Sequence, residues 1–378
     1  MKTPDRNLLG FSRYAGGLDG GSLRHQQVIE LAEKGGFRVI LNPGFSPRFR
    51  AQLLPSFLAG LRIVFASPLR HKHILVRAST RGGPANLLVV GRHFHGVRGW
   101  AKDHQAGAIV VEDVIFGGQG AVLAARELGI PAIALPHNLD ALTGRVPSVS
   151  QGCACLAAEM EGLRLADATF AISESDAWLH RQFGIASVVL SYYPTAAKER
   201  ELRTIRALRP SKSKDRRFLI AGNAHNLPTR EGMAELLQFI GSRKWPSGLF
   251  FDVIGRDTQC LGAANLCPQV VFHGGVDSNA FRDLSSTCEA CLVYQKRGSG
   301  SLTRVMDLAL AGVPVLGSPV AMRDWEHLEG VATFRDWNEL LQLLSGPMAI
   351  PTPPARPTHQ EECFLEALRR TLHTPIRT

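Results

Sequence analysis

Along the chain, short runs of Val, Ile, Leu and Phe alternate with longer stretches whose apolar residues recur every third or fourth position. The short runs predict strands at 8–11, 38–42, 62–66, 87–91, 108–112, 132–135, 169–173 and 188–191, and again at 218–221, 250–254, 270–273, 290–294 and 313–316. The helical spacing predicts helices at 22–34, 120–128, 154–166 and 174–183, then at 231–242, 280–286, 302–311, 336–344 and 360–372. Ser173 is placed to cap the fourth of these and Gly184 to end it. Strands alternating with helices from end to end predict parallel sheets covered on both faces.

The pattern lapses once, into the polar stretch Arg209-Pro210-Ser211-Lys212-Ser213-Lys214-Asp215. A linker there divides the 378 residues into two α/β domains of ordinary size. The expected organisation is a Rossmann-like domain over 1–208 and a second over 209–357. Beyond the proline-rich crossing at 351–357, a final helix within 358–378 packs back. Two doubly wound parallel-sheet domains face each other across a cleft at the carboxyl ends of their strands, where ligands of such folds bind.

Composition narrows the class. With 45% hydrophobic and 20% charged residues, and no internal repeat, the chain is globular. Its first residues lack the apolar core of a secretory signal. The most apolar window, 53–69, is broken by Pro55, Arg62 and Pro68 and falls short of the roughly 20 apolar residues that span a bilayer. Seven cysteines, an odd number, fit reduced thiols in the cytoplasm. A four-thiolate zinc site can be written from Cys260, Cys267, Cys288 and Cys291, but the first pair is wrongly spaced and Cys291 falls in an apolar run. Buried, inert thiols are the better reading, for Cys153 and Cys155 as well.

The net charge of +10 is local. From Lys34 to Lys102 there are 12 Lys and Arg and no Asp or Glu; taking those 12 from 43 leaves 31 basic residues against 33 acidic ones elsewhere. His71, His73, His93 and His95 add to this field at lower pH. It suits an anionic membrane surface with salt-sensitive, peripheral attachment, or else a solvated face with no specific partner. The interleaved aromatics of a nucleic-acid surface are missing, so no nucleic acid is expected.

The densest chemical signal is Gly298-Ser299-Gly300-Ser301-Leu302-Thr303-Arg304-Val305-Met306-Asp307, followed by a second strand. Glycines let a backbone approach an anion, and the first free N–H groups of the helix point at it. Asp307 lies about two turns in, on the face of Ser299 and Gly300, where a carboxylate can accept from ribose hydroxyls.

In this segment, with its exit Ala311-Gly312-Val313-Pro314-Val315, the chain resembles glycosyltransferase family 4, a group of GT-B enzymes. Gly20-Gly21-Ser22, the runs 130–138, 166–176 and 218–223, Arg230-Glu231-Gly232-Met233, and the runs 253–256 and 271–276 match family segments in the same order. The resemblance implies the two-domain GT-B fold. It implies retaining, metal-independent transfer of a sugar from a nucleotide donor to a glycan or lipid-linked acceptor in surface polysaccharide or glycoconjugate synthesis. No cofactor is implied, since the nucleotide sugar is a substrate.

The same resemblance suggests roles. Residues Gly298, Ser299, Gly300, Ser301, Leu302 and Thr303 would hold the diphosphate, and Asp307 the ribose. Arg256 and Arg230, with Arg297 and Asn223 nearby, would meet the leaving charge. His137 would orient the sugar or support an oxocarbenium-like transition state, and Gly20, Gly21 and Ser22 would border the acceptor. Two departures stand out: Ser299 replaces the first of a glutamate pair, and Asn223 and Glu231 replace an Arg and a Lys that neutralise the diphosphate in many members.

Structural alternatives remain for each. His137 can be a satisfied core histidine, Asp307 a partner of Arg304 on its own helix, and the glycine pair a tight turn. Two rival functions stand beside glycosyl transfer. A sugar-nucleotide epimerase of the same architecture needs acid and base carboxylates and turns over donor without acceptor. A catalytically degenerate nucleotide- or glycan-binding protein would fit Ser299, Asn223 and Glu231.

Overall fold

The computed structural model describes residues 7–11, 20–41, 53–66, 84–115, 117–143, 148–209, 216–262 and 267–373. The chain forms two compact units, Met1–Ser191 with Pro357–Thr378, and Tyr192–Arg356.

The first unit carries β1 (Asn7–Phe11), β2 (Arg38–Leu41), β3 (Ala106–Val111), β4 (Ala132–Ala134), β5 (Ala168–Ala171) and β6 (Ser187–Val189). They pair in the order β2-β1-β3-β4-β5-β6, all parallel. Its helices are α1 (Gly20–Lys34), α2 (Leu53–Ala66), α3 (Pro84–Asp103), α4 (Gly117–Glu127), α5 (Asp140–Thr143), α6 (Val149–Leu165) and α7 (Glu174–Gln182). Strand β3 is apolar throughout because successive side chains go to opposite faces and both are covered. Ala108 and Val110 pack with Val28, Leu31 and Ala32 of α1 and with Phe364 and Leu368 of the C-terminal helix Thr358–His373. Ile109 and Val111 pack with Val97 and Ala101 of α3 and with Ala121 and Val122 of α4.

The second unit repeats the plan with β7 (Arg216–Ala221), β8 (Leu249–Ile254), β9 (Val270–Gly274), β10 (Ala290–Val293), β11 (Val315–Gly317) and β12 (Val331–Thr333). Their order is β12-β11-β10-β7-β8-β9, again all parallel. Its helices are α8 (Ala196–Leu208), α9 (Leu227–Gly241), α10 (Ser278–Thr287), α11 (Thr303–Leu310), α12 (Pro319–Met322) and α13 (Trp337–Ser345). Phe218, Ile220, Phe251, Val253 and Leu292 fill one face with Met233, Leu236 and Ile240 of α9 and Leu340 and Leu344 of α13.

Ser173 caps α7 as its position suggests, accepting from the Asp176 amide. The strands expected at 62–66 and 87–91 are helical instead, within α2 and α3. Their apolar runs fit either period locally. Burial of Leu87 and Val90 against Phe57 and Leu61, at three- and four-residue spacings, selects the helix. Strand β12 and helix α8 are additions to the expected elements. The compact units divide at Ser191 and Tyr192 rather than at 208, because α8 belongs with the second unit. Arg206 of α8 binds the carbonyls of Ala309, Leu310 and Pro351 there. Among the described residues, no helix is long and apolar enough to cross a membrane. Much of the basic stretch, at 42–52 and 67–83, lies outside the described residues; Arg98 within it pairs with Glu127 at 2.7 Å.

Both sheets grow outward in two directions from their first strand, so strand order reverses between β1 and β3 and between β7 and β10. The loops that leave these strands go to opposite faces and part at the carboxyl edge, where doubly wound sheets hold ligands. At the second reversal the packing is tight: a Cβ on Gly232 of α9 would meet the Tyr294 carbonyl oxygen at 1.9 Å. Gly232→Ala is therefore expected to destabilise the second unit by about 1–3 kcal/mol, read as a lowered urea midpoint.

Candidate functional site

The loop leaving β10, residues 294–302, ends in helix α11. Gly298 and Gly300 hold φ of +130° and +72°, conformations that side chains with a Cβ rarely adopt. Buried polar groups pin the loop from beneath. Gln295 donates its amide to Ser318 Oγ at 2.9 Å and its side chain to Thr229 Oγ1 at 3.0 Å, and Ser318 Oγ donates back to the Gln295 carbonyl at 2.6 Å. Arg323 Nε holds the Gly300 carbonyl at 2.9 Å. Leu302, the N-cap of α11, offers no capping side chain, so the first-turn amides of α11 face the loop without a side-chain acceptor at the cap.

The structure brings most of the second-unit residues singled out in the sequence to this one edge. Asn223 lies after β7, where its side-chain oxygen accepts from the His225 amide at 2.9 Å and shapes the turn into α9. Arg230, in the first turn of α9, is exposed, and so is Arg256, after β8, whose carbonyl accepts from Ala224. Arg297 forms an ion pair with Glu231 at 2.9 Å. Ser299, Ser301 and Leu302 are half-buried, and Thr303 is buried. Asp307 is buried and accepts from the Tyr192 hydroxyl at 3.0 Å. Burial raises its carboxyl to about 6, against the pull of the Lys198 charge and the Tyr192 hydrogen bond.

A second cluster sits at the reversal in the first unit. Gly20, Gly21 and Ser22 form the first turn of α1 rather than a free loop, and Ser22 is buried. One turn on, His25 Nδ1 lies 2.8 Å from Glu112 Oε2, and Glu112 directly follows β3. His137, just past β4, brings Nε2 to 3.3 Å from the other Glu112 oxygen. Burial by itself would raise the Glu112 carboxyl, but hydrogen bonding to His137 and His25 and their charge outweigh it and hold the group at about 2. A carboxylate only accepts, so His25 Nδ1 carries the proton in this contact and the lone pair of a neutral ring falls on Nε2. That atom is shut off from solvent and has no hydrogen-bond partner. His25 and Glu112 line a small apolar pocket with Gly10, Val39, Leu41 and Val110. A histidine oriented by a buried carboxylate is an arrangement suited to proton transfer.

Of this cluster the sequence pattern singles out His137 alone, and not His25 or Glu112. Glu112 left a signal, an acidic residue closing an otherwise apolar strand run at 108–112. His25 left none, because its partner is 87 positions away.

No protein-family model matches the chain, and no curated protein matches it. Solved structures do. UDP-GlcNAc 2-epimerase from Neisseria meningitidis bound to UDP-GlcNAc aligns at TM-score 0.57 with 13% identity, over 97% of this chain and 100% of that one. Anabaena HepE in complex with UDP-glucose aligns at 0.56 with 14% identity, over 90% and 88%. A glycosyltransferase from Rickettsia africae aligns at 0.56 with 10% identity, over 98% and 94%. At these identities the likeness is one of fold: two Rossmann-like doubly wound parallel-sheet units, the building blocks of GT-B proteins.

Both carboxylates give pH-dependent expectations of opposite sign. Asp307 has a raised folded pKa, so its contribution is full below pH ~4 and is lost as pH rises through ~6. Asp307→Asn should therefore stabilise the protein by up to about 3 kcal/mol at pH 8 and by nothing near pH 4, in denaturation curves at the two pH values. Glu112 has a depressed folded pKa, so its contribution is present above pH ~5 and is lost as pH falls toward ~2. Glu112→Gln should cost up to about 3 kcal/mol at neutral pH and flatten the acid limb of the stability profile.

Proposed function

We propose that the chain is a GT-B-type enzyme that takes a nucleoside-diphosphate sugar as donor and transfers the sugar to a glycan or lipid-linked acceptor, with retention and without a metal. The observation that carries this reading is the loop 294–302, where two positive-φ glycines lead into an uncapped helix N-terminus at the reversal of a parallel sheet. Neighbours in fold bound to UDP-glucose and UDP-GlcNAc, and one glycosyltransferase, support it.

In this reading the amides from Gly298 to Thr303 meet the diphosphate. Asp307 serves the ribose, its cost in stability being of the kind that functional carboxylates carry. Arg230 and Arg256 are exposed cations that would add positive charge around the leaving group. His137, with Glu112 and His25 behind it, serves the sugar, and the first turn of α1 borders the acceptor. The basic stretch at 34–102 draws the enzyme to an anionic, lipid-bearing surface.

One observation favours a second reading, epimerisation of the donor. The His25–Glu112–His137 cluster supplies a buried carboxylate and two proton carriers, and the Neisseria epimerase shares the fold over its whole length. One experiment separates the two. UDP-, GDP- and dTDP-sugars are incubated in deuterium oxide with and without a lipid-linked glycan acceptor. The transferase should release nucleoside diphosphate only when acceptor is present. Deuterium entering the sugar at C2 without acceptor would establish the epimerase instead. A donor panel that neither shifts the melting temperature nor turns over would remove both, and Asp307→Ala is expected to abolish any donor-induced shift.

A further inference from the structure

Resting on that donor-site reading, we infer that Arg304 is the cation that neutralises the donor's diphosphate. The other basic groups at this edge are engaged elsewhere or lie open to solvent. Arg297 is paired with Glu231, Arg323 holds the Gly300 carbonyl, and Arg230 and Arg256 are exposed. Arg304 differs. It is the second residue of α11, so its backbone belongs to the uncapped first turn. Its guanidinium reaches back toward the loop after β7, with Nη1 3.6 Å from where a Cβ on Gly222 would stand. The side chain thus bridges the two loops that part at the strand reversal.

Among the described residues no carboxylate lies close enough to act on this guanidinium, and its Nε is shut off from solvent without a hydrogen-bond partner. Burial lowers its pKa to about 10, so the group remains charged at neutral pH. Arg304 is half-buried, and a guanidinium whose Nε is desolvated and unpaired favours an anion that meets its remaining donors. Its forked donors match phosphate oxygens, and the adjacent helix amides favour the same charge. Asn223 and Glu231 supply no cation at this edge, and the Glu231 carboxylate draws Arg297 to itself, which leaves Arg304 as the cation set into the loop, with Arg230 and Arg256 outside it in solvent.

The test is the affinity of a nucleoside diphosphate relative to its nucleoside. UDP, GDP, ADP and dTDP are titrated calorimetrically into the wild-type chain, and the tightest is carried forward with its parent nucleoside. Arg304→Gln, checked for wild-type circular dichroism and melting temperature, should weaken the diphosphate about tenfold or more and leave the nucleoside unchanged, as expected for loss of a charge-assisted contact. Arg304→Lys keeps a charge but not the fork and should lose a smaller part; it also serves as the readout if the glutamine variant does not fold. A wild-type diphosphate-to-nucleoside ratio in a folded variant, or equal loss of both ligands, overturns the assignment while leaving the donor site intact. A wild-type chain that binds none of the four diphosphates overturns the donor site itself.

Discussion

A parallel sheet that grows in both directions from its first strand has one place where neighbouring loops turn to opposite faces and leave the strand ends open. In this protein the reversal occurs twice, between β1 and β3 and between β7 and β10. The groups assigned to the two candidate sites gather at these two places. Gly298 and Gly300 with positive φ, the uncapped start of α11 and the half-buried Arg304 stand at one; the Glu112 carboxylate with its two imidazoles stands at the other. The sheets themselves are largely apolar, apart from Asp252 held between Arg217 and His273 across β7, β8 and β9, and provide rigid edges from which short loops project.

Charge placement follows from that geometry. The strand ends are dry enough to alter ionisation, and the three groups respond differently according to their partners. Glu112 has two imidazoles and stays a strong acid despite its burial. Asp307 has a hydroxyl and a remote lysine, and burial wins. Arg304 has neither a carboxylate nor a full set of acceptors, and only its high intrinsic basicity keeps it charged. Compensation is strongest for the first and weaker for the other two, and these two groups belong to the same helix, α11. An anionic ligand with hydroxyl groups beside it, as in a nucleoside diphosphate, has the chemistry to offset both.

Much of the fold was legible because the strands of a doubly covered sheet are apolar on nearly every residue, which makes runs such as 108–112, 218–221 and 290–294 stand out from amphipathic helices. The same criterion failed at 62–66 and 87–91, where a helix packed against another helix is just as apolar over five residues; only Leu87 and Val90 meeting Phe57 and Leu61 distinguishes the cases. Helix α8 escaped notice because it buries just Leu202 and Ile205 and is otherwise charged. Its attachment depends on Arg206 and three carbonyls that no local pattern reveals. At the candidate site, Gly298, Gly300, Thr303 and Asp307 were visible together, since a phosphate-binding turn is contiguous in sequence. The engagement of Arg297 by Glu231, and the isolation of Arg304, were not.

By itself, then, the sequence determined the periodicity of the elements, the α/β class and the local glycine turn, all of which depend on neighbours within a few residues. It also placed the basic excess in one stretch, which is a matter of counting. Tertiary structure alone decided where the units divide, that His25 meets Glu112 across 87 positions, and which arginine is set into the loop edge with its Nε unpaired. Ion pairing and desolvation act through space, and their partners are chosen by strand order rather than by adjacency in the chain.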